Sequence, residues 1–178
     1  GASLIFIVAF DVTADHYIED SNETYTGTSG ADSVTVSGTN NTVSSGDGND
    51  VITVNGATGG TFTGDGGDDS FVVETIGGNS FDGGYTSETT GDTYDASALG
   101  TALTLDLVAG TVTDGTNSDT VSGVEIFTGS SETSDMLDFT TSLNAIHANL
   151  DTGAIDLAYD GISATRTVTA TGFERING

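Results

Sequence analysis

Three aspartates occupy the same place in three similar nine-residue segments. The segments are GTSGADSVT at 27–35, SGDGNDVIT at 45–53 and GDGGDDSFV at 64–72. The sixth residue of each is Asp32, Asp50 or Asp69, so the carboxylates recur after 18 and then 19 residues. A compact carboxylate on a turn is a good ligand for a hard cation. Because the spacing is regular, we expect the three carboxylates to stack on successive turns and to bind cations there.

Glycine fills the fourth place of the same segments, as Gly30, Gly48 and Gly67. Glycine adopts positive φ angles without steric cost, so this place is typical of a tight turn. The turns carry further polar side chains that are candidates to assist in cation binding, namely Asp47, Asn49, Asp65 and Asp68.

An apolar residue fills the eighth place of seven successive segments, at steps of nine or ten residues. These residues are Tyr25, Val34, Val43, Ile52, Phe62, Phe71 and Phe81. Each segment is therefore predicted to be a turn followed by a short strand in which only the eighth residue points inward. Two segments make one coil, which predicts two facing parallel sheets. Alternate residues of the series should form a ladder on each inner face.

The sixth place of the intervening segments is neutral, since it is filled by Asn41, Gly60 and Asn79. If odd and even turns line opposite sides of the coils, only one side carries the aspartates. We therefore expect cations along one row of turns, and few or none along the other.

The charge of the chain favours a cation-binding role and excludes several partners. The 27 acidic residues stand against two basic ones, Arg166 and Arg175, so the formal net charge is −25. Nucleic acid is excluded because almost nothing can neutralise its phosphates, and anionic membrane surfaces are excluded for the same reason. No apolar run approaches the ~20 residues of a membrane span, so we expect no membrane insertion. Cation binding would relieve the self-repulsion of a compact state.

The pattern resembles the hemolysin-type calcium-binding repeat of the RTX family, whose glycine-rich nonapeptide binds Ca²⁺ in a parallel β-roll. The resemblance covers residues 18–82 and is strongest at 45–53 and 64–72. It implies an all-β, elongated parallel β-roll or β-solenoid that Ca²⁺ stabilises. It also implies that the sixth-place aspartates share calcium ions with carbonyl groups of the glycine turns. Secretion, and an extracellular or cell-surface location in a bacterium, follow from the same resemblance.

Three regions are predicted: an apolar N-terminal strand segment at 1–17, a nonapeptide calcium-binding roll at 18–99, and a continued β-solenoid at 100–178. The last region contains two longer units. Residues 105–112 match 148–155 at an offset of 43, and residues 123–129 match 172–178 at an offset of 49. We expect these units to continue the parallel solenoid with few metal sites.

The run LIFIVAF at 4–10 is apolar at seven consecutive positions, which predicts a strand buried on both faces. It caps or packs along the chain's own coils, pairs with a sheet of another copy, or is the remnant of a cleaved export signal. The second interpretation makes the chain its own partner, in a polymer or layer.

The sequence carries no HExxH and no GxSxG motif, so it is not expected to be an enzyme. The leading hypothesis is a secreted, calcium-binding structural protein that builds an extracellular filament, surface layer or matrix. One alternative is the secretion and folding module of a larger secreted protease, lipase or epimerase. Another is an adhesion module with glycans among its ligands.

Overall fold

In the computed structural model, the described residues are 6–8, 15–140, 142, 147–149, 152–156 and 167–178. They form an all-β structure of nineteen strands. The strands are β1 Phe6–Val8, β2 Asp15–Ile18, β3 Thr24–Thr26, β4 Ser33–Val36, β5 Thr42–Ser44, β6 Val51–Val54, β7 Thr61–Gly66, β8 Ser70–Val73, β9 Ser80–Thr86, β10 Thr93–Asp95, β11 Thr104–Asp106, β12 Thr111–Thr113, β13 Ser118–Ser122, β14 Ile126–Thr128, β15 Met136–Asp138, β16 His147–Asn149, β17 Ala154–Asp156, β18 Thr167–Thr171 and β19 Arg175–Asn177.

Consecutive strands from β2 to β10 alternate between two sheets. The ten-stranded sheet has the order β1-β3-β5-β7-β9-β13-β12-β11-β15-β19, and the nine-stranded sheet has the order β16-β17-β18-β14-β10-β8-β6-β4-β2. In the repeat region every pairing is parallel, because each strand lies beside the strand one coil away. This arrangement is compatible with a β-solenoid.

The predicted ladders of eighth-place residues are confirmed. In the nine-stranded sheet Ile52 lies opposite both Val34 and Phe71, and in the ten-stranded sheet Phe62 lies opposite both Val43 and Phe81. All six residues of the two ladders are at most 1% exposed. The two ladders meet between the sheets, where the rings of Phe71 and Phe81 lie edge to face at 5.2 Å.

The expectation that only the eighth residue points inward is wrong. The sixth-place residues Asp32, Asp50 and Asp69 are 5%, 1% and 3% exposed. The residues two places after the eighth, Val36 and Val54, are fully buried as well. The strands β4 and β6 are four residues long, so their alternation carries a second apolar residue into the core. Because side chains alternate along a strand, the residue two places before the eighth also points inward. The sixth-place carboxylate therefore lies in the interior, just before the strand.

The second half differs from a continued parallel solenoid. Strand β12 is antiparallel to both β11 and β13, and β17 is antiparallel to both β16 and β18. The two longer units therefore each insert an antiparallel hairpin before the parallel arrangement resumes. Gly110 and Gly153 occupy equivalent reversals with φ angles of +66° and +73°. The internal duplication seen in the sequence is thus a duplication of this hairpin.

Residues 6–8 of the N-terminal apolar run form β1, which pairs in parallel with β3 of the same chain, Ile7 opposite Tyr25. The rest of the run at 4–10 lies outside the described residues. In the part of the chain that the structure describes, no helix is long and apolar enough to cross a membrane.

Candidate metal site

The turns that lead from the ten-stranded to the nine-stranded sheet stack above one another. They span 27–32, 45–50, 64–69 and 83–92, of which the last two begin within the final residues of β7 and β9, and each ends on a buried aspartate. We call these four turns, with Asp32, Asp50, Asp69 and Asp92, the Asp row. The turns at 19–23, 37–41, 55–60 and 74–79 lead back to the ten-stranded sheet. We call these, with Glu23, Asn41, Gly60 and Asn79, the Asn row.

In the Asp row, each carboxylate after Asp32 accepts a hydrogen bond from the backbone of the preceding coil. The Oδ1 atoms of Asp50, Asp69 and Asp92 accept from the N–H of Asp32, Asp50 and Asp69 at 2.7, 2.8 and 2.7 Å. The carboxylates and these N–H groups lie close together because the sixth-place side chains point inward. The aspartates therefore form a continuous hydrogen-bonded stack through the turns.

The second oxygen of these carboxylates has no such partner. The Oδ2 atoms of Asp50, Asp69 and Asp92 are buried and accept no hydrogen bond. A buried acceptor without a donor costs about 1–3 kcal/mol, and more when it is charged. The stack thus contains three unmet negative oxygens, which is the condition that a cation would satisfy.

A backbone carbonyl of the next coil faces the Oδ2 of Asp69 and of Asp92. A methyl group placed on Gly64 would lie 2.3 Å from Asp69 Oδ2 and 2.7 Å from the Gly83 carbonyl oxygen. A methyl group on Gly83 would lie 2.2 Å from both Asp92 Oδ2 and the Gly123 carbonyl oxygen. Glycine is required at both places, and two oxygens lie close together at each.

Burial changes the pKa of these acids. It raises the pKa of Asp69 to about 7; the N–H of Asp50 opposes the rise, and the charges of Asp50 and Asp92 add to it. Burial likewise raises the pKa of Asp92 to about 6, with the Asp69 N–H opposing and Glu88 and Glu125 adding. The pKa of Asp50 is also raised, again chiefly by burial, while the N–H of Asp32 and the nearby Ser45 hydroxyl oppose the rise. Burial therefore shifts these groups toward the protonated form in the folded protein without a cation.

The outermost aspartate of the row is satisfied by its own turn. Asp32 Oδ2 accepts from the backbone N–H of Thr28 at 2.7 Å and from its hydroxyl at 2.9 Å. Asp135, in the turn before β15, receives the equivalent bonds from the N–H and hydroxyl of Ser130. The predicted ligands thus fall into two kinds, with Asp50 and Asp69 lacking the donors that Asp32 has.

The fourth-place glycines allow the turns to stack closely. Gly48 and Gly67 both have φ near +129°. A methyl group on Gly67 would lie 1.9 Å from the Gly48 carbonyl oxygen, and one on Gly48 would lie 2.9 Å from the Gly30 carbonyl oxygen. The carbonyl groups of Gly30 and Gly48 therefore point toward the next turn of the row.

The candidate assisting residues lie farther out, and three of them have a structural role. Asn49 Oδ1 accepts from the N–H of Asp68 at 3.2 Å. Asp68 Oδ1 accepts from three successive N–H groups, those of residues 89–91, and these bonds lower its pKa. Asp65 accepts from the hydroxyl of Ser44. Asp47 is exposed, and its backbone forms an isolated parallel β-bridge with Gly66.

In the Asn row a side-chain Oδ1 also accepts an N–H from the preceding coil, but the second branch of each asparagine has a partner as well. Asn41 Oδ1 accepts from the N–H of Glu23 at 2.8 Å, and Asn79 Oδ1 accepts from the N–H of Gly60 at 2.9 Å. Their amide nitrogens donate to carbonyl groups of the preceding coil, Asn41 to Asp20 at 2.9 Å and Asn79 to Ala57 at 3.1 Å. Both branches of each asparagine are satisfied without an ion.

Sequence reasoning did not identify Asp92, Glu88 or Glu125 as parts of the site. Asp92 follows Asp69 by 23 residues, because the turn at 83–92 is longer than the others. One carboxylate oxygen from each of Glu88, Asp92 and Glu125 lies within 4.8 Å of the others. The available signal was the segment GDTYD at 91–95, which places an aspartate two residues before a buried aromatic residue, as in the repeats.

Comparison with models of protein families, with characterised proteins and with solved structures returns no match to this chain.

Proposed function

We propose that this chain is a secreted, calcium-binding structural protein, not an enzyme, and that calcium bound along the Asp row stabilises an elongated β-roll. One observation carries the proposal: the Oδ2 atoms of Asp50 and Asp69 are buried in adjacent coils and accept no hydrogen bond. The resemblance of the nonapeptides to RTX repeats supports calcium as the ion and the cell exterior as the location.

The residues present fit a calcium ion in their chemistry. Calcium takes six to eight oxygen ligands from carboxylates, backbone carbonyls and water. Asp50 and Asp69 supply carboxylates, and the carbonyl groups of Gly30 and Gly48 point along the same row. The bound ion supplies positive charge to carboxylates that burial otherwise disfavours. The outer side chains of Asp47, Asn49, Asp65 and Asp68 stand in the same turns.

Ion binding of this kind is coupled to folding. The unfolded chain does not hold its aspartates in a stack, so the free energy of binding adds to the free energy of folding. Extracellular calcium modules bind at roughly 10⁻⁴–10⁻³ M. The chain would therefore stay unfolded where calcium is scarce and fold where calcium is abundant.

The test of this proposal is circular dichroism and thermal unfolding of the intact chain in millimolar CaCl₂, in MgCl₂ and in excess EGTA. We expect a large loss of β-structure in EGTA and recovery with calcium but not with magnesium. Asp50→Asn should weaken the calcium response, because Asp50 lies between two other coils of the row. Equal spectra and equal unfolding temperatures in calcium and in EGTA would contradict the proposal.

Self-assembly is the finer part of the proposal, through residues 4–10. Within the described residues β3 is the only strand that pairs with β1, and a strand of a second copy would pair with the other edge of β1. Sedimentation of the full chain in calcium should show association that grows with concentration. Deletion of residues 1–10 should leave a folded, calcium-binding monomer. A monomeric full chain at high concentration would mean that β1 is an internal cap.

A further inference from the structure

Three carboxylates from two different turns converge where the repeat region meets the longer units. Glu88 and Asp92 belong to the long turn at 83–92, and Glu125 belongs to the short turn before β14. One oxygen from each lies within 4.8 Å of the others. Asp92 is fully buried, and the two glutamates are half-buried. None of these residues occupies the sixth place of a predicted nonapeptide.

A second observation concerns the buried member of this group. Asp92 is 0% exposed, and its Oδ1 accepts a hydrogen bond from the N–H of Asp69. Its Oδ2 accepts no hydrogen bond. That oxygen and the Gly123 carbonyl oxygen face one point beside Gly83, at 2.2 Å each. An unmet carboxylate oxygen of one member of the acidic group therefore lies near a backbone carbonyl oxygen, beside Gly83.

We infer that Glu88, Asp92 and Glu125 bind one calcium ion that joins the repeat region to the longer units. Oxygens bound to one calcium at 2.3–2.6 Å are at most about 4.6–5.2 Å apart, so three oxygens within 4.8 Å suit a single ion. The donor set is all oxygen, which selects a hard cation over zinc or copper. In the described part of the chain, the one arginine, Arg175, lies in β19 of the ten-stranded sheet, whereas Asp92 and Glu125 precede strands of the nine-stranded sheet.

The site has a structural consequence that the repeat sites lack. Glu125 Oε2 accepts from the N–H of Asp92 at 2.9 Å, as Asp92 does from the N–H of Asp69. Glu125 thus continues the Asp row by one more coil, with a longer side chain. Strand β10, which follows Asp92, pairs with β14, which follows Glu125. An ion held by both turns fixes the register at which the second half adds to the first.

The test is equilibrium dialysis of the intact chain against CaCl₂, counting bound ions and their affinities. Glu88→Gln/Glu125→Gln keeps acceptor oxygens and removes two charges. We expect it to lose one bound ion, or to bind that ion at least about tenfold more weakly, because ligand charge sets calcium affinity. Glu132→Gln, an exposed glutamate in another turn, is the matched control and should bind as the unchanged chain does.

A second pair of variants separates this inference from the proposed function, on which it depends only for the identity of the ion. Asp50→Asn/Asp69→Asn should lose the repeat ions and keep the ion at the three carboxylates. If Glu88→Gln/Glu125→Gln binds as many ions with unchanged affinity, the inference is overturned and the repeat sites stand. If the Asp50→Asn/Asp69→Asn variant binds as many ions as the unchanged chain while the Glu88→Gln/Glu125→Gln variant loses one, the repeat sites fail and the inference stands. Absence of any bound calcium overturns both.

Folding of the variants is checked separately, by circular dichroism in saturating calcium. Should the double glutamate variant fail to fold, Glu88→Gln alone leaves the bond from Asp92 to Glu125 untouched. The single variant must still weaken one site, and unchanged binding by it counts equally against the inference.

Discussion

The Asp row and the Asn row perform the same backbone task with nearly identical side chains. In both rows a side-chain Oδ1 accepts an N–H from the preceding coil, at 2.7–2.9 Å. They differ in the second branch. In Asn41 and Asn79 that branch is a donor that reaches a carbonyl group, whereas in Asp50 and Asp69 it is a buried acceptor without a donor.

One atom per coil therefore separates a turn whose side-chain hydrogen bonds are all satisfied from a turn that requires a positive charge. Neither burial nor an aspartate alone creates the requirement. Asp119, at the end of the Asn row, is fully buried, yet its Oδ1 accepts from Asn79 N–H and its Oδ2 accepts from the Tyr94 hydroxyl.

The largest effect should come from the core that both rows share. Phe71 is fully buried and contacts the ring of Phe81. Phe71→Ala should lower the free energy of unfolding by roughly 3–5 kcal/mol, since it leaves a cavity between the sheets. Denaturant unfolding should give the same loss in calcium at two different concentrations, because the ring is not a ligand. A loss that vanishes at the higher calcium concentration would link the core to the Asp row after all.

Exchanging the two side chains should exchange the properties of the rows. Asp69→Asn places an amide where Oδ2 faces the Gly83 carbonyl group, and should raise stability in the absence of calcium by about 1–3 kcal/mol. Asn79→Asp removes the donor to the Ala57 carbonyl group and should lower stability by a similar amount. Thermal unfolding of both variants in EGTA, at a temperature where the chain retains structure or in a stabilising osmolyte, measures these shifts.

The same two variants should respond oppositely to calcium. Asp69→Asn should lose part of the stabilisation that calcium gives, and Asn79→Asp should gain a calcium response in the Asn row. If Asp69→Asn lowers stability equally in calcium and in EGTA, the unmet oxygen is not what distinguishes the rows.

The positions of the turns and of the inward-facing residues could be predicted from the sequence, because each recurs with a regular period and a constant residue type. Asp32, Asp50 and Asp69 keep their spacing, and Val34, Ile52 and Phe71 follow two residues later. Asp92 was missed because the insertion in its turn breaks the period. The direction of β12 was missed because Leu105 and Val112 read as strand residues in either direction. The orientation of a carboxylate branch leaves no trace in the pattern, so the unmet Oδ2 atoms required coordinates.

Acidity should act on the stability of the Asp row with opposite sign in the absence and in the presence of calcium. The folded-state pKa of Asp69 is raised to about 7, above the roughly 3.9 of an unfolded aspartate. Its contribution to stability is therefore full below about pH 4 and is lost as pH rises through 7. In EGTA with the stabilising osmolyte, the free energy of unfolding should rise on acidification from pH 8 to pH 5, by at most about 1.4 kcal/mol per pH unit for one proton. The unfolding temperature should rise with it.

In calcium the slope should reverse, since protons compete with the ion for the same carboxylates. Asp69→Asn should flatten the slope in EGTA. The lowered pKa values of Asp68 and Asp114 act in the other direction, below about pH 4, and so lie outside this window. A stability that rises with pH in EGTA would show that the buried aspartates are ionised without cost.

The smallest effect should come from the hydroxyl group that closes the outer end of the Asp row. Thr28→Val removes the 2.9 Å bond from the Thr28 hydroxyl to Asp32 Oδ2 and the 3.2 Å bond that the hydroxyl accepts from the N–H of Gly30, and keeps the backbone bond at 2.7 Å. In EGTA we expect a loss of about 0.5–1.5 kcal/mol, because both lost bonds are only part-buried and water replaces part of them. Thr26→Val, at an exposed residue of β3, is the control and should change little. In calcium the loss should shrink, because the freed Asp32 oxygen becomes available to an ion shared with Asp50. A loss of equal size in both conditions would remove Asp32 from the calcium ligands, and would place the first ion between Asp50 and Asp69.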